Sequence, residues 1–240
     1  MRFYAELAPW FHRITPPEDY AEDAEHVVWV VEALTDGHAQ TLLELGSGWG
    51  NTASHLKRVF ACTLVDLSED MLQVSRSLNP ECEHIAADMR SVRLGREFDV
   101  VFVHDAIDYM RTEGDLGAAL RTVAAHLTPT GVAVLTPDVT TEAFEPGTLA
   151  EARDHADVRV RYLEWTHPPS PGTSEVEVDM VLIIRDADGN TRVEHDRHVV
   201  GVFPSATWRA LIEDAGMRLV DPGVNDPLAH EHALFVARRR

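Results

Sequence analysis

A chain of 240 residues, 45% of them hydrophobic and 25% charged, can bury the core of one α/β domain and is neither fibrous nor disordered in composition. Its formal net charge of −19 opposes any partner with a phosphate backbone, which argues against nucleic acid. Only Cys62 and Cys82 are present, without metal-type spacing, and no apolar run suits a secretory leader or a bilayer span, so the expectation is a cytoplasmic protein with free thiols and no membrane contact.

Residues 1–40 read as a helical cap, with helices Phe3–Phe11 and Tyr20–Leu34 broken by Thr15-Pro16-Pro17. Val27, Val28, Val30, Val31 and Leu34 give the second helix a core-facing stripe. The run Leu42-Leu43-Glu44-Leu45 then reads as a buried strand, and it ends on Gly46-Ser47-Gly48-Trp49-Gly50. Glycines at that place let the chain turn sharply and let a ligand approach the backbone. A helix from Asn51 to Phe60 is expected next, with Asn51 as its N-cap. Strand, glycine turn and helix together make a nucleotide-type pocket. A dinucleotide fingerprint would require glycine at position 51, which is Asn51 here. Glu44, just inside the turn, offers a carboxylate to an ammonium group. The second strand, Cys62–Val65, ends on Asp66, an acid placed to suit a ribose diol.

Strand and helix alternate over 41–137, the spacing of a doubly wound parallel sheet. After Asp138 the pattern changes to β-rich runs at Val158–Leu163, Glu175–Ile184 and Arg192–Phe203, the last two joined by the turn-forming Asp186–Asn190. These predict three antiparallel strands within an insertion at 155–203. The core resumes over 204–240 with a helix Ser205–Ala215 and strands near Met217–Val220 and Ala233–Ala237. The expectation is one domain, 1–240, with a core binding unit at 41–140.

Glu44-Leu45-Gly46-Ser47-Gly48-Trp49-Gly50 followed by a strand-terminal Asp66 resembles the class I S-adenosylmethionine-dependent methyltransferases. Leu67–Leu72, Ile85–Arg90, Phe98–Val103 and Leu127–Leu135 continue the resemblance in order, with Thr130 in place of the usual second glycine of the last turn. The resemblance implies a Rossmann-like, mostly parallel seven-stranded sheet and S-adenosyl-L-methionine as cofactor. It places Glu44, Gly46, Gly48 and Gly50 at the methionine end, Asp66 at the ribose, and Met71, Asp88 and the Met89 amide at the adenine, with Leu67 completing the set. His104, implied as a cofactor contact too, and Tyr109, just past the fourth strand, then lie beside the reactive methyl group. Asp19–Ala24, Leu67–Leu72, Ala87–Arg90 and Leu94–Phe98 look similar to bacterial deoxysugar N,N-dimethyltransferases. That implies a small-molecule acceptor methylated on nitrogen or oxygen, such as an aminosugar or other natural-product intermediate.

His104 and Tyr109 can orient an acceptor or take a proton, whereas the bland reading of His104 is a loop-fixing hydrogen bond. An amine can lose its proton to water before it attacks, so N-methylation needs orientation more than a base, while an unactivated hydroxyl needs the base. No metal is expected: His195 and His198 fall on opposite faces of a strand, and His230-Glu231-His232 lacks a third ligand. The insertion, with Tyr162, Trp165 and Phe203, is expected either to wall the acceptor site or to form a homodimer surface. The rival functions are a non-catalytic cofactor-binding sensor or scaffold and an NAD-dependent oxidoreductase.

Overall fold

The computed structural model describes residues 3, 4, 7, 10, 12–169, 172–222 and 233–240. The expected helix Phe3–Phe11 lies largely outside these residues, as do His230 and His232. Helix α1 spans Ala21–Thr35, after a 3-10 turn at Pro17–Tyr20. The apolar runs form parallel strands β1 (Thr41–Leu45), β2 (Ala61–Asp66), β3 (Glu83–Ala86), β4 (Phe98–Val103) and β5 (Leu127–Leu135). Between them lie α2 (Ala53–Leu56), α3 (Glu69–Leu78) and α4 (Glu113–His126). After the insertion come α5 (Ser205–Asp214), β10 (Met217–Leu219) and β11 (Phe235–Arg239), and β11 pairs antiparallel with both β5 and β10. The seven strands lie in the order β10-β11-β5-β4-β1-β2-β3.

Leu42, Leu43, Leu45, Val100 and Val101 are fully buried because both faces of this sheet are covered. Val27, Val30 and Val31 of α1 pack on one face, against Leu42, Val100 and Phe102. Leu116, Leu120 and Val123 of α4, with Trp208 and Ile212 of α5, pack on the other. The chain winds outward in both directions from β1 and β4. A crevice therefore opens at the carboxyl ends of these two adjacent strands, where an open α/β sheet takes its ligand.

Two local expectations change. The helix after the glycine turn is only Ala53–Leu56, and Asn51 does not cap it: its buried amide donates to the Thr15 carbonyl at 3.0 Å, tying the N-terminal segment to the loop. The insertion has four antiparallel strands rather than three, and starts earlier than residue 155. Its members are β6 (Gly147–Asp154), β7 (Val158–Thr166), β8 (Glu175–Asp186) and β9 (Thr191–Gly201), paired in sequence order. The inner face of this second sheet carries Val158, Val160, Tyr162, Leu182 and Ile184, and buries Phe3, Leu7 and Ile14 of the N-terminal segment. Arg13 forks onto Asp157 at 2.9 and 3.0 Å at the edge of that contact. β9 also abuts the core: a Cβ on Gly201 would stand 2.2 Å from the Met110 carbonyl.

Candidate active site

The crevice is a cavity of about 720 Å³, within the range of small-molecule sites. Glu44, Gly46, Gly48, Asp66, Leu67, Met71, Asp88, Met89, His104 and Tyr109 all line it, brought together because each follows or ends a parallel strand or starts the next helix. Gly50 does not line it. Its positive φ of 74° and its packing against Ser75 and Asn79 serve the loop's seat on α3 instead. Trp49 lines the cavity and packs edge-on to Tyr4.

Gly46 has φ +79°, and a Cβ there would fall 2.2 Å from the Ala106 Cβ and 2.8 Å from the Met89 Cε. Only glycine leaves the backbone this open between the loops after β1 and β4. Asp66 shapes the same loop, since its carboxylate accepts the Gly48 N–H at 2.9 Å and the Ser68 N–H at 2.8 Å. Burial pushes this carboxyl above its ordinary value against those donors, and lone pairs remain for a diol. Ser68 caps α3, accepting from the Met71 amide at 3.3 Å, which seats the buried Met71 against Gly48.

Glu44 is 3% exposed, and its Oε2 has no hydrogen-bond partner among the described residues. Burial pushes the carboxyl up to about 8, against the pull of His104. The Ser47 hydroxyl, also buried on the cavity wall, likewise has no partner among the described residues. Asp88 is paired: Arg90 meets it through Nη2 at 2.6 Å and Nε at 3.0 Å, holding the carboxyl low, and reaches Asp115 at 3.0 Å.

His104 places Nδ1 at 2.8 Å from both the Asp105 carboxylate and the Thr136 hydroxyl, with Nε2 3.9 Å from Asp23. Burial favours the neutral ring, but Asp105, then Asp138 and Asp23, outweigh it and push the pKa up to about 10. His104 thus keeps its proton at neutral pH and is poorly suited to take another. Near it the buried Asp108 and the exposed Asp138 are both pushed well above the carboxylate range, Asp108 chiefly by burial and Asp138 chiefly by Asp105. The Asp108 carboxylate accepts the Asp138 amide at 2.9 Å.

Tyr109 joins a network that the sequence did not reveal. Its hydroxyl bonds that of Tyr4 and lies 2.7 Å from Nδ1 of the buried His198, while His198 Nε2 lies 3.2 Å from Asp196. Among the described residues of the insertion, only Arg197, His198 and Val199 line the cavity. Tyr162 lies on the sheet's inner face, Trp165 is exposed, and Phe203 belongs to the main core, so none of the three forms the expected wall. His195 and His198 do face opposite sides, His195 bonding Asp179 at 2.9 Å on the outer face. Among the described residues no His, Cys, Asp and Glu cluster is arranged to hold a metal ion.

The cavity fits S-adenosylmethionine on two observations: an orphaned buried carboxylate oxygen on Glu44 meets the need of an ammonium group, and the loop of Gly46 and Gly48 leaves space that a Cβ would fill. The family model described as a methyltransferase domain matches residues 42–131. The chain is 31% identical over 204 residues to the dTDP-3-amino-3,4,6-trideoxy-alpha-D-glucopyranose N,N-dimethyltransferase of Streptomyces venezuelae, covering 84% of this chain and 85% of that one. It is 34% identical over 206 residues to the dTDP-3-amino-3,6-dideoxy-alpha-D-glucopyranose N,N-dimethyltransferase of Streptomyces fradiae, covering 83% and 78%. Among solved structures it matches DesVI of Streptomyces venezuelae with a TM-score of 0.82 and 28% identity over 92% of each chain. It also matches SAM-bound CalS10, an amino pentose methyltransferase from Micromonospora echinaspora, with a TM-score of 0.80 and 25% identity over 92% of each chain. The chain therefore belongs to the class I S-adenosylmethionine-dependent methyltransferases and is a methyl-transferring enzyme of the type represented by bacterial deoxysugar N,N-dimethyltransferases.

Proposed function

We propose that the methyl acceptor is the amino nitrogen of an aminosugar. The observation that carries this reading is the composition of the cavity's second half. Beyond the Glu44–Asp66 side, its walls include Tyr4, Tyr109, His198 and Val199, a largely apolar pocket with two hydroxyls and an imidazole set in it, sized for a small molecule rather than a polymer. The named substrates of the full-length relatives are amino-deoxysugars carried on a nucleotide, which supports nitrogen over oxygen.

When bound, S-adenosylmethionine supplies an activated methyl group. Glu44 takes its ammonium, and on doing so the carboxyl ionises. Asp66 accepts from the ribose hydroxyls while keeping the Gly48 amide in place, with Leu67 at the rim of that subsite. Met71 and Met89 flank the adenine, and Asp88, oriented by Arg90, accepts from its amino group. Gly46 and Gly48 give the methionine part access to the backbone. His104, charged and surrounded by Asp105, Asp138 and Asp23, anchors the loop after β4 and so positions Tyr109 at the acceptor nitrogen. Holding nitrogen and methyl in line is the main contribution of the protein, and the lid of N-terminal segment and second sheet limits water.

The test is incubation of the purified enzyme and S-adenosylmethionine with amino-deoxysugar nucleotides and their hydroxyl analogues. A mass gain of one or two methyl groups on the amine alone is expected. Transfer to the hydroxyl analogues instead would move the reading to O-methylation. No helix among the described residues is long and apolar enough to cross a membrane. Free Cys62 and Cys82 support a cytoplasmic setting, and the net charge of −19 supports the absence of a nucleic-acid partner. A homodimer would use the outer face of the second sheet, where Trp165, Ile183 and Val193 are exposed.

A further inference from the structure

Residues 4, 109, 196 and 198 come from the N-terminal segment, the turn after β4 and β9, and their side chains form one line of hydrogen bonds. Its polarity follows from the acid at its end. The Asp196 carboxylate accepts the Phe3 amide at 3.1 Å and the Arg197 amide at 3.0 Å, and it has no proton to give. The bond at 3.2 Å therefore comes from His198 Nε2–H, which leaves Nδ1 as the bare nitrogen of the neutral ring. Tyr109 donates its hydroxyl proton to Nδ1 at 2.7 Å, and the Tyr109 oxygen in turn accepts from Tyr4. Tyr4, Tyr109 and His198 all reach the cavity wall. The line is thus open at the cavity and ends on a base backed by a carboxylate.

Building on the amine reading above, we infer that His198, held by Asp196, receives through Tyr109 the proton that the acceptor amine gives up. An ammonium has no lone pair with which to attack, and a second methylation requires another deprotonation inside the closed cavity. In the step, the ammonium N–H bond breaks as its proton passes to the Tyr109 oxygen. The Tyr109 O–H bond breaks as its own proton passes to His198 Nδ1, giving an imidazolium paired with Asp196. The electron pair left on nitrogen attacks the methyl carbon, and the S–C bond pair departs to sulfur, leaving the neutral thioether. His198 acts through Tyr109 and is a positioning and proton-holding residue. Burial keeps its ring below the ordinary histidine value despite Asp196, so it is free to accept. The titratable groups facing it are Asp196 on its own strand, Tyr109 on the turn, Tyr4 on the N-terminal segment and Glu164 on β7. His104 is already protonated and offers no such vacancy.

Two measurements test the relay. Nitrogen NMR of histidine-labelled enzyme should show His198 as the Nε2–H tautomer with a hydrogen-bonded bare Nδ1, and the opposite tautomer overturns the relay whatever the substrate. In single-turnover methylation of the aminosugar, His198→Ala should lower the rate about a hundredfold at neutral pH. The loss should shrink in alkaline solution, where the amine is already neutral, and with added imidazole, while S-adenosylmethionine affinity stays unchanged. Tyr109→Phe cuts the same line without removing the imidazole and should give the same pH profile if His198→Ala fails to fold. An equal loss at every pH, or none, overturns the relay while leaving the amine reading intact. A wild-type enzyme inactive on every amine overturns the amine reading, and this role for His198 with it.

Discussion

A carboxyl group that is 3% exposed at the end of a buried strand costs the fold free energy whenever it ionises, and Glu44 is such a group. Its pKa, pushed up to about 8 by burial, lies above that of an unfolded glutamate, so the folded chain binds more protons over that interval. The stabilising contribution is complete below the ordinary carboxylate range and is lost as pH rises toward about 8. Glu44→Gln lacks this dependence. In cofactor-free urea melts the variant should gain on the wild type as pH is raised across that window, and parallel curves would contradict the assignment. The same logic predicts that S-adenosylmethionine releases a proton from Glu44 near neutral pH, seen as buffer-dependent binding heats that Glu44→Gln abolishes. Asp66 differs because its carboxylate already holds two backbone amides. A charged hydrogen bond to the ribose is worth about 1.5–3 kcal/mol. Asp66→Ala should therefore weaken S-adenosylmethionine binding tenfold or more by calorimetry, and unchanged affinity in a folded variant would remove the ribose assignment.

At the scale of elements, the loop after β1 depends on a contact with the turn after β4. Gly46→Ala would put a methyl group 2.2 Å from the Ala106 Cβ at a φ of +79°. Strain and overlap together should cost at least about 2 kcal/mol, read as a lower thermal midpoint. A variant melting like the wild type would mean that the two loops move apart freely. These elements were legible in the sequence because a parallel strand buried on both faces is a continuous apolar run, as at Leu42–Leu45 and Phe98–Val103, and because glycines and acids mark its carboxyl end. β6 was not legible: Gly147–Asp154 carries Ala150, Glu151, Ala152, Arg153 and Asp154 in place of an apolar alternation, is mostly exposed, and is held by pairing with β7 at the edge of its sheet. The Glu44, Asp66 and Met71 side of the cavity could be read from local motifs. The Tyr4–Tyr109–His198 line could not, since its hydrogen bonds span 105 and 89 residues and depend on how β9 docks against the turn after β4. The spacing of His195 and His198 did signal opposite faces, yet nothing local said that the buried one would meet Tyr109.

Across the whole molecule, the cavity floor is formed by the loops at the carboxyl ends of the parallel strands, and its lid by the described N-terminal residues, Phe3, Tyr4 and Leu7 among them, packed against the second sheet. Two kinds of contact hold that lid. Arg13 and Asp157 form a forked pair with side chains 40% and 62% exposed, so solvent screens it and its contribution is at most about 1 kcal/mol. Phe3 is fully buried, with its ring centroid 6.5 Å from Tyr162 and 6.1 Å from His198, and truncating such a side chain costs about 3–5 kcal/mol. Apolar packing therefore dominates the closure. Arg13→Ala should leave acceptor methylation nearly unchanged, whereas Phe3→Ala should loosen the lid. Because Tyr4 adjoins Phe3 and the Phe3 amide holds Asp196, the loss should fall on acceptor turnover and its KM before it falls on S-adenosylmethionine affinity, which we assign to Glu44 and Asp66 in the sheet. Paired measurements of the cofactor's Kd and of kcat/KM for the aminosugar separate the two effects. Equal losses in Phe3→Ala would mean that the lid supports the whole cavity, and a larger loss in Arg13→Ala would mean that ion pairing, not burial, closes it.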